Sequence, residues 1–387
     1  MAERRARLAR RHRLAPGERA ASVVEAARSL VCLHGTDPAT IHLSAWARVP
    51  GMMVADLSHA LYVERSLVKH LAMRRTLFVF PREALSVVQA GASDRVAAAE
   101  RRRLVRDVER AGLHSNGARW LSQASEQVLG SLRDGREATS SELRDELPLL
   151  EGSITYGEGK SWGGQAPIGP RVLTTLSAAG QIVRASNAGG WTTSRPRWAL
   201  TGSWLGEKIA PCAEAEGVAG LTERWLRVFA PGTVADLKWW LGSTVKAVRQ
   251  ALTECRAVPV DLDGQIGYVL PDDVEPTAPA EPWAALLPPL DPTVMGWIDR
   301  DWYLGPHKAQ LFDTTGNAGP TAWWDGRIVG GWRQRESGEV ELQLLEDGGA
   351  DGLLALEKEA GRLTEWFDGT RVLPRFPSPL SKTGERS

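Results

Sequence analysis

TVADLKWWLGSTVKAVRQALTECRAVPVDLDGQIGYVLP, residues 233–271, is the stretch whose pattern decides the fold. Asp236-Leu237 followed by Leu241 marks one amphipathic helix, and Thr244 to Cys255 carries a second helical pattern. From Ala257 to Pro271 the pattern changes to two strand-like runs. Asp263-Gly264 between them is a type I′ turn signal, because that turn needs positive φ at both central residues. Helix, helix, hairpin is the winged-helix order: the first helix buries its Leu stripe, the second presents its outer face, and the hairpin is the wing.

The same acidic-Leu-x3-Leu pattern recurs upstream at Glu142-Leu143 with Leu147 and at Asp56-Leu57 with Leu61. Second helical stretches are expected from Pro170 to Ala178 and from Val63 to Arg74, each followed by strand-like runs. In the middle copy these are QIVRASNAGGWTTSRPRWAL (181–200), with Asn187 to Gly190 as the turn. A Gly-rich segment, EGSITYGEGKSWGGQAPIGP (151–170), separates the helices of that copy; loops of such length inside a domain are usually functional or mobile. PDDVEPTAPAEP (271–282) is an acidic, Pro-rich linker. Beyond it, TAWWDGRIVGGWRQ, EVELQLLE and GRLTEWFDGTRV are expected to form strands of a small β-rich, barrel-like domain. The expected fold class is therefore α+β, with tandem winged-helix (helix-turn-helix) repeats and a C-terminal β domain. Its divisions are 1–130 with a helical extension, 131–205, 206–275 and 283–375. Arg101 to Arg103, between the first two repeats, are expected on a solvated helix face.

Charge sharpens this division. The 387 residues hold 47 basic and 47 acidic side chains, yet residues 1–130 carry net +9 and the remainder net −9. A field acts over a Debye length of roughly 10 Å, so the regional balance matters more than the total. Arg outnumbers Lys 39 to 8, which suits phosphate recognition, although a coding bias would produce the same excess. Sixteen Trp exceed Phe and Tyr together, and most are expected in packing. Three widely spaced cysteines, Cys32, Cys212 and Cys255, offer neither a disulfide framework nor a zinc ribbon. With no secretory signal and no apolar run near the ~20 residues of a membrane span, a soluble cytoplasmic protein is expected.

Most enzyme chemistries lack their motif here: the seven histidines form no paired metal-binding spacing, and there is no phosphate-binding glycine loop and no nucleophile elbow. What remains is ARSLVCLHGTDPATIHLSAWARVPG (27–51). Leu30, Val31 and Leu33 read as an apolar helix end, His34-Gly35-Thr36 as a break, and Asp37-Pro38 as the N-cap and first residue of the next helix. A cap carboxylate can also face a substrate.

That segment, with ALYVERSLVKHLAMRRTLFVFP (60–81), FAPGTVADLKWWLG (229–242) and LLPPLDPTVMGW with the following RDWYLG (286–305), resembles the bacterial winged-helix DNA glycosylase superfamily (AlkZ/YcaQ-like) over nearly the whole chain. The resemblance implies winged helices forming a concave surface for double-stranded DNA, and hydrolysis of the N-glycosidic bond of N3- or N7-alkylated bases or crosslinks. The family signature, Gln-x-Gln or Gln-x-Asp, falls on His34-Gly35-Thr36, and both positions differ. In the chemistry implied, His34 takes the proton of the attacking water, Thr36 orients that water, and Asp37 stabilises the oxocarbenium-like transition state. DNA contacts are expected from Arg48, Arg65, Lys69, Arg74 and Arg75 in the basic region, and from Lys160, Arg171, Lys246 and Arg249 in the other repeats. Neither a metal nor a cofactor is expected. Three fused repeats favour a monomer at the nucleoid over a paired half-site dimer. The alternative from another class is a non-catalytic winged-helix DNA-binding protein or transcription regulator.

Overall fold

A computed structural model describes residues 1–157 and 163–382, which divide into two units. The first comprises Met1–Leu67, Phe78–Pro81 and the chain from Ala219 on; the second comprises Val68–Leu77 and Arg82–Val218. This division cuts across the four consecutive domains expected from sequence, because residues 1–67 share a unit with the chain beyond Ala219.

In the first unit Ala2–Arg11 (α1) and Val23–Arg28 (α2) precede a two-residue strand, Leu33–His34 (β1). Pro38–Trp46 (α3) begins as expected, with Asp37 as N-cap and Pro38 in the first turn. Val54–Tyr62 (α4) follows. Where a helix was expected from Val63 to Arg74, the chain instead forms Leu67–Ala72 (β2), a short turn at Met73–Arg75, and Thr76–Pro81 (β3), of which Val68–Leu77 count with the second unit and Phe78–Pro81 with the first. Arg65 at φ +58° breaks the helical path, and Arg74 and Arg75 at +55° and +60° make the hairpin tip. The apolar run LVKHLA is too short for its period to distinguish helix from strand. β1 adds antiparallel to β3, with Leu33 opposite Val79 and His34 opposite Phe78.

In the second unit Leu85–Val88 (α5) passes through a π turn at Gln89–Ser93 into Asp94–Arg110 (α6), followed by Gly117–Ser131 (α7). Then come Ala138–Thr139 (β4), Ser140–Glu146 (α8), the strand pair Ser153–Tyr156 (β5) and Gly164–Pro167 (β6), and Ile168–Ala178 (α9). The Gly-rich segment is thus partly a hairpin; its residues 158–162, with Lys160, lie outside the described residues. Ile182–Asn187 (β7) and Pro196–Leu200 (β8) form the next hairpin, to which β4 adds through β8, and Thr201–Leu205 (α10) closes the segment. Trp120, Leu143, Ile168, Val172, Ile182 and Trp198 fill the core between these elements.

Glu214–Phe229 (α11), part of the first unit from Ala219, leads to Val234–Leu241 (α12), Val245–Glu254 (α13), Val258–Leu262 (β9) and Gln265–Val269 (β10). Asp263 and Gly264 both have positive φ, as the turn signal required. Gly232 bridges to Tyr268 in the last hairpin strand. A short strand in the first two segments, and a single bridge in the third, therefore pairs with the final strand of each helix–helix–hairpin segment.

The three acidic residues of the repeated motif share one role. Asp56, Glu142 and Asp236 accept the backbone N–H of Met53, Thr139 and Thr233 at 2.8, 2.6 and 2.9 Å. They satisfy donors that a helix start leaves without an intrahelical partner, while the following Leu57, Leu143 and Leu237 are fully buried. The motif opens the first helix of the pair in the later repeats but the second, α4, in the first repeat. That one-helix offset is why Val63 to Arg74 was misread.

The remaining chain forms Ala284–Leu287 (β11), Asp301–Leu304 (α14), Lys308–Leu311 (α15), Thr321–Trp324 (β12), Arg327–Gln334 (β13), Val340–Leu344 (β14), Gly349–Phe367 (α16) and Pro379–Lys382 (α17). The strands make an open antiparallel sheet, β11-β12-β13-β14, with two edges rather than a closed barrel. GRLTEWF, expected as strand, belongs to α16: Leu356, Ala360, Leu363 and Phe367 are its buried stripe, at helical spacing.

Candidate active site

α3 is buried from Ala39 to Trp46, so it has no solvent face and must satisfy its polar side chains internally. Thr40 Oγ1 donates to the Pro289 carbonyl at 2.9 Å, and Ser44 Oγ donates to Asp291 Oδ2 at 2.6 Å. Arg48, just beyond the helix, donates in a fork to both Asp291 oxygens at 3.0 and 2.8 Å, to Thr293 Oγ1 at 2.7 Å and to the His12 carbonyl at 3.0 Å. Arg48 and Asp291 are both 0% exposed. Burial alone would raise the Asp291 carboxyl, but the Arg48 charge and hydrogen bonds outweigh it and hold the group below its ordinary value. Burial, reinforced by Arg48, pushes His12 down to about 3, and its Nδ1 lies 2.8 Å from Thr293 Oγ1. A buried pair of this kind mainly fixes geometry, since desolvation offsets much of the attraction. Here it fixes the helix that Asp37 caps. Arg48 was expected to touch DNA; with protein on every side it cannot reach a phosphate.

Asp37 Oδ1 accepts the Ala39 N–H at 3.0 Å, and Oδ2 accepts the Arg375 N–H at 3.0 Å. The Arg375 guanidinium donates to the Thr36 carbonyl at 3.3 Å. Asp37 is 4% exposed and forms part of the wall of a cleft of about 1150 Å³, with Thr40, Trp332, Arg333, Arg335 and Arg371 among its other lining residues. That volume is ample for a nucleotide. Arg333 and Arg335 both pair with Glu341, and hydrogen bonds from Arg335 and then Arg333 hold the Glu341 carboxyl below its usual range. Neither His34 nor Thr36 lines this cleft. His34 is 6% exposed, its ring edge-on to Phe78 at 5.3 Å between centroids.

The expected DNA-contacting residues separate into groups. Arg74 and Arg75 are exposed at the β2–β3 tip, Arg75 pairing with Glu100 at 2.9 Å. Lys69 is half-buried on β2, and burial, with Arg184 nearby, lowers its ammonium to about 8. Arg171 pairs with Asp107 at 2.7 Å, and Arg65 is half-buried at its left-handed turn. Lys246 and Arg249 are exposed on α13. Asp291, Gln334, Arg371 and Arg375 were missed by sequence reasoning. The one local signal was Asp291 itself, an acid set in the apolar run LLPPLDPTVMGW; the others reach the site through tertiary contacts.

Among the described residues no cluster of three or more His, Cys, Asp and Glu side chains could hold a metal ion, and no helix is long and apolar enough to cross a membrane. A comparison with curated protein sequences finds no match. The solved structure of Streptomyces sahachiroi DNA glycosylase AlkZ matches this fold with a TM-score of 0.74 at 20% sequence identity, covering 96% of this chain and 98% of that one. The profile of the family described as DNA glycosylase AlkZ-like matches residues 27–366. Because that match takes in α3, the Asp37 cap and most of the cleft wall, and spans most of the sequence, the chain belongs to the AlkZ-like DNA glycosylase family.

Proposed function

We propose that the protein hydrolyses the N-glycosidic bond of N3- or N7-alkylated purines in duplex DNA, crosslinked adducts included, by direct attack of water. The observation that carries this reading is the recessed Asp37 carboxylate in the wall of a nucleotide-sized cleft. An alkylated purine of this kind is cationic and departs as a neutral base, so the enzyme needs little acid catalysis. It needs negative charge beside the sugar as the oxocarbenium-like state develops, and a water held at the anomeric carbon. A carboxylate has about four lone-pair sites, and the two backbone N–H groups on Asp37 leave capacity for a water. Asp37 thus carries both electrostatic stabilisation and water positioning in this proposal. His34 and Thr36, which do not line the cleft, take supporting roles behind it, His34 as a proton acceptor at one remove and Thr36 as an orienting group.

The helix–helix–hairpin segments are read as three winged helices. The exposed Arg74, Arg75, Lys246 and Arg249 are their phosphate contacts, with Arg65, Lys69, Arg171 and Lys160 secondary to them. Three copies in one chain support action as a monomer, in the cytoplasm at the nucleoid. The test is base release from duplexes bearing N7-methylguanine, N3-methyladenine or a crosslink, read by alkali cleavage at the abasic site. Asp37→Asn is expected to lose about 100-fold or more in rate while retaining duplex binding, and His34→Ala to lose less. Wild-type protein that binds every duplex and releases no base would leave the DNA-binding regulator as the reading.

A further inference from the structure

Asp37 is recessed, whereas the glycosidic bonds of a duplex lie inside its stack. A nucleotide must therefore leave the stack to reach this carboxylate, and the space it vacates must be filled or the helix recloses. Proteins that unstack duplex DNA fill such gaps with an apolar side chain held outward on a firm support. One segment at the cleft has that form. Gln334 receives the Val372 N–H on Oε1 and donates Nε2–H to the Thr370 carbonyl, both at 2.9 Å. Three residues later the Arg375 N–H is fixed to Asp37 at 3.0 Å. Between those anchors lie Leu373 and Pro374 alone, and the proline ring restricts its own φ and biases Leu373 toward extended backbone.

Leu373 is 74% exposed, the highest value recorded for a large hydrophobic side chain among the described residues. It lines the same cleft as Asp37, and Arg371 and Arg375 are exposed on either side of it. We propose that Leu373 is the plug that enters the base stack of duplex DNA as the damaged nucleotide turns toward Asp37, with Arg371 and Arg375 steadying the flanking phosphates. This rests on the glycosylase reading, and on its monoadduct substrates, since a crosslinked nucleotide is bonded to the opposite strand and cannot turn out of the stack. The segment that carries the plug is tied to the carboxylate by the Arg375 N–H, two residues after Leu373, so the position that opens the stack and the position that hydrolyses are set together.

The test uses the full chain and a duplex carrying N7-methylguanine with 2-aminopurine as its neighbour, whose fluorescence rises when stacking is lost. Wild-type protein at saturation is expected to raise fluorescence several-fold. Leu373→Ala should abolish most of that rise and slow single-turnover base release at least tenfold, with duplex affinity changed less than threefold, whereas Leu373→Phe should restore the signal. Leu373 is exposed, so neither variant threatens folding. An unchanged signal and rate in Leu373→Ala, or base release by the wild type with no rise, would overturn the plug. If the wild type raises the signal but releases no base, the glycosylase reading fails while the plug stands. Binding to no duplex overturns both.

Discussion

Helices α3 and α8 occupy the same place in their repeats, directly after a short strand and before the second helix, yet they are held by different physics. α8 buries one side chain, Leu143, and leaves the rest of its surface toward solvent or its margins. α3 is buried along its length and is fastened by Thr40, Ser44 and the Arg48–Asp291 pair. Their entries differ too. Thr139 is both the last residue of β4 and the cap of α8, whereas the Asp37 cap lies three residues beyond His34, the end of β1, with Gly35 and Thr36 between them. The plain junction ends in a hydroxyl that serves its own helix. The extended junction ends in a carboxylate whose second oxygen is used elsewhere. What separates the plain junction from the one proposed to react is the anchoring of a helix and three residues of chain.

The largest expected effect follows from breaking the α3 anchorage. Arg48→Met leaves the Asp291 carboxylate buried without its partner and should cost about 3–5 kcal/mol in denaturant unfolding. A variant as stable as the wild type would show that apolar packing holds α3 as it holds α8. Acid probes the same anchorage more gently. His12 is neutral when folded, with its value pushed from 6.5 to about 3, so below pH ~6.5 the unfolded chain takes up a proton that the folded chain does not. Stability contributed by this group is therefore complete above pH ~6.5 and declines as pH falls toward about 3, by about 1.4 kcal/mol per pH unit. Unfolding of wild type and His12→Gln at pH 7, 6 and 5 should show the shallower slope in the variant. His70, pushed to about 4 by burial, gives the second unit a similar but narrower dependence that the His12 substitution leaves intact. The smallest effect belongs to the plain junction. Thr139→Ala removes the cap of α8 and should cost about 1 kcal/mol with no change in base release. An altered rate in that variant would erase the distinction between the two junctions.

The contrast also explains what was legible in the sequence. Caps and turns use local chemistry, so Asp37-Pro38 and Asp263-Gly264 could be recognised from neighbouring residues alone. The first strand of the first hairpin, LVKHLA, was obscured because it is buried on both faces and places Lys69 on one and His70 on the other, which leaves no clear period to read. GRLTEWF misled differently: taken as a fragment it ends in adjacent Trp and Phe with strong strand propensity, and its helical stripe emerges when Leu356 and Ala360 are counted with it. Arg48 looked like any arginine in a basic region, since its partner Asp291 is 243 residues away. The cleft was invisible for the same reason, because Gln334, Arg371 and Arg375 reach the cleft that Asp37 lines, or Asp37 itself, through folding and not through spacing.

The division of the chain bears on how the protein is made. The second unit is encoded between the pieces of the first, so the amino-terminal 67 residues leave the ribosome long before the chain from Ala219 that completes their unit. At ~5–20 residues per second, Arg48 waits on the order of ten to fifty seconds for Asp291, and the polar groups of α3 stay solvated until then. Meanwhile the second unit has all of its sequence available and can assemble. Completion of the proposed reactive centre is thereby postponed until the chain through Asp291 and Arg375 has been made, and a chain released before then would carry the Asp37 strip without the anchorage that gives it a shape.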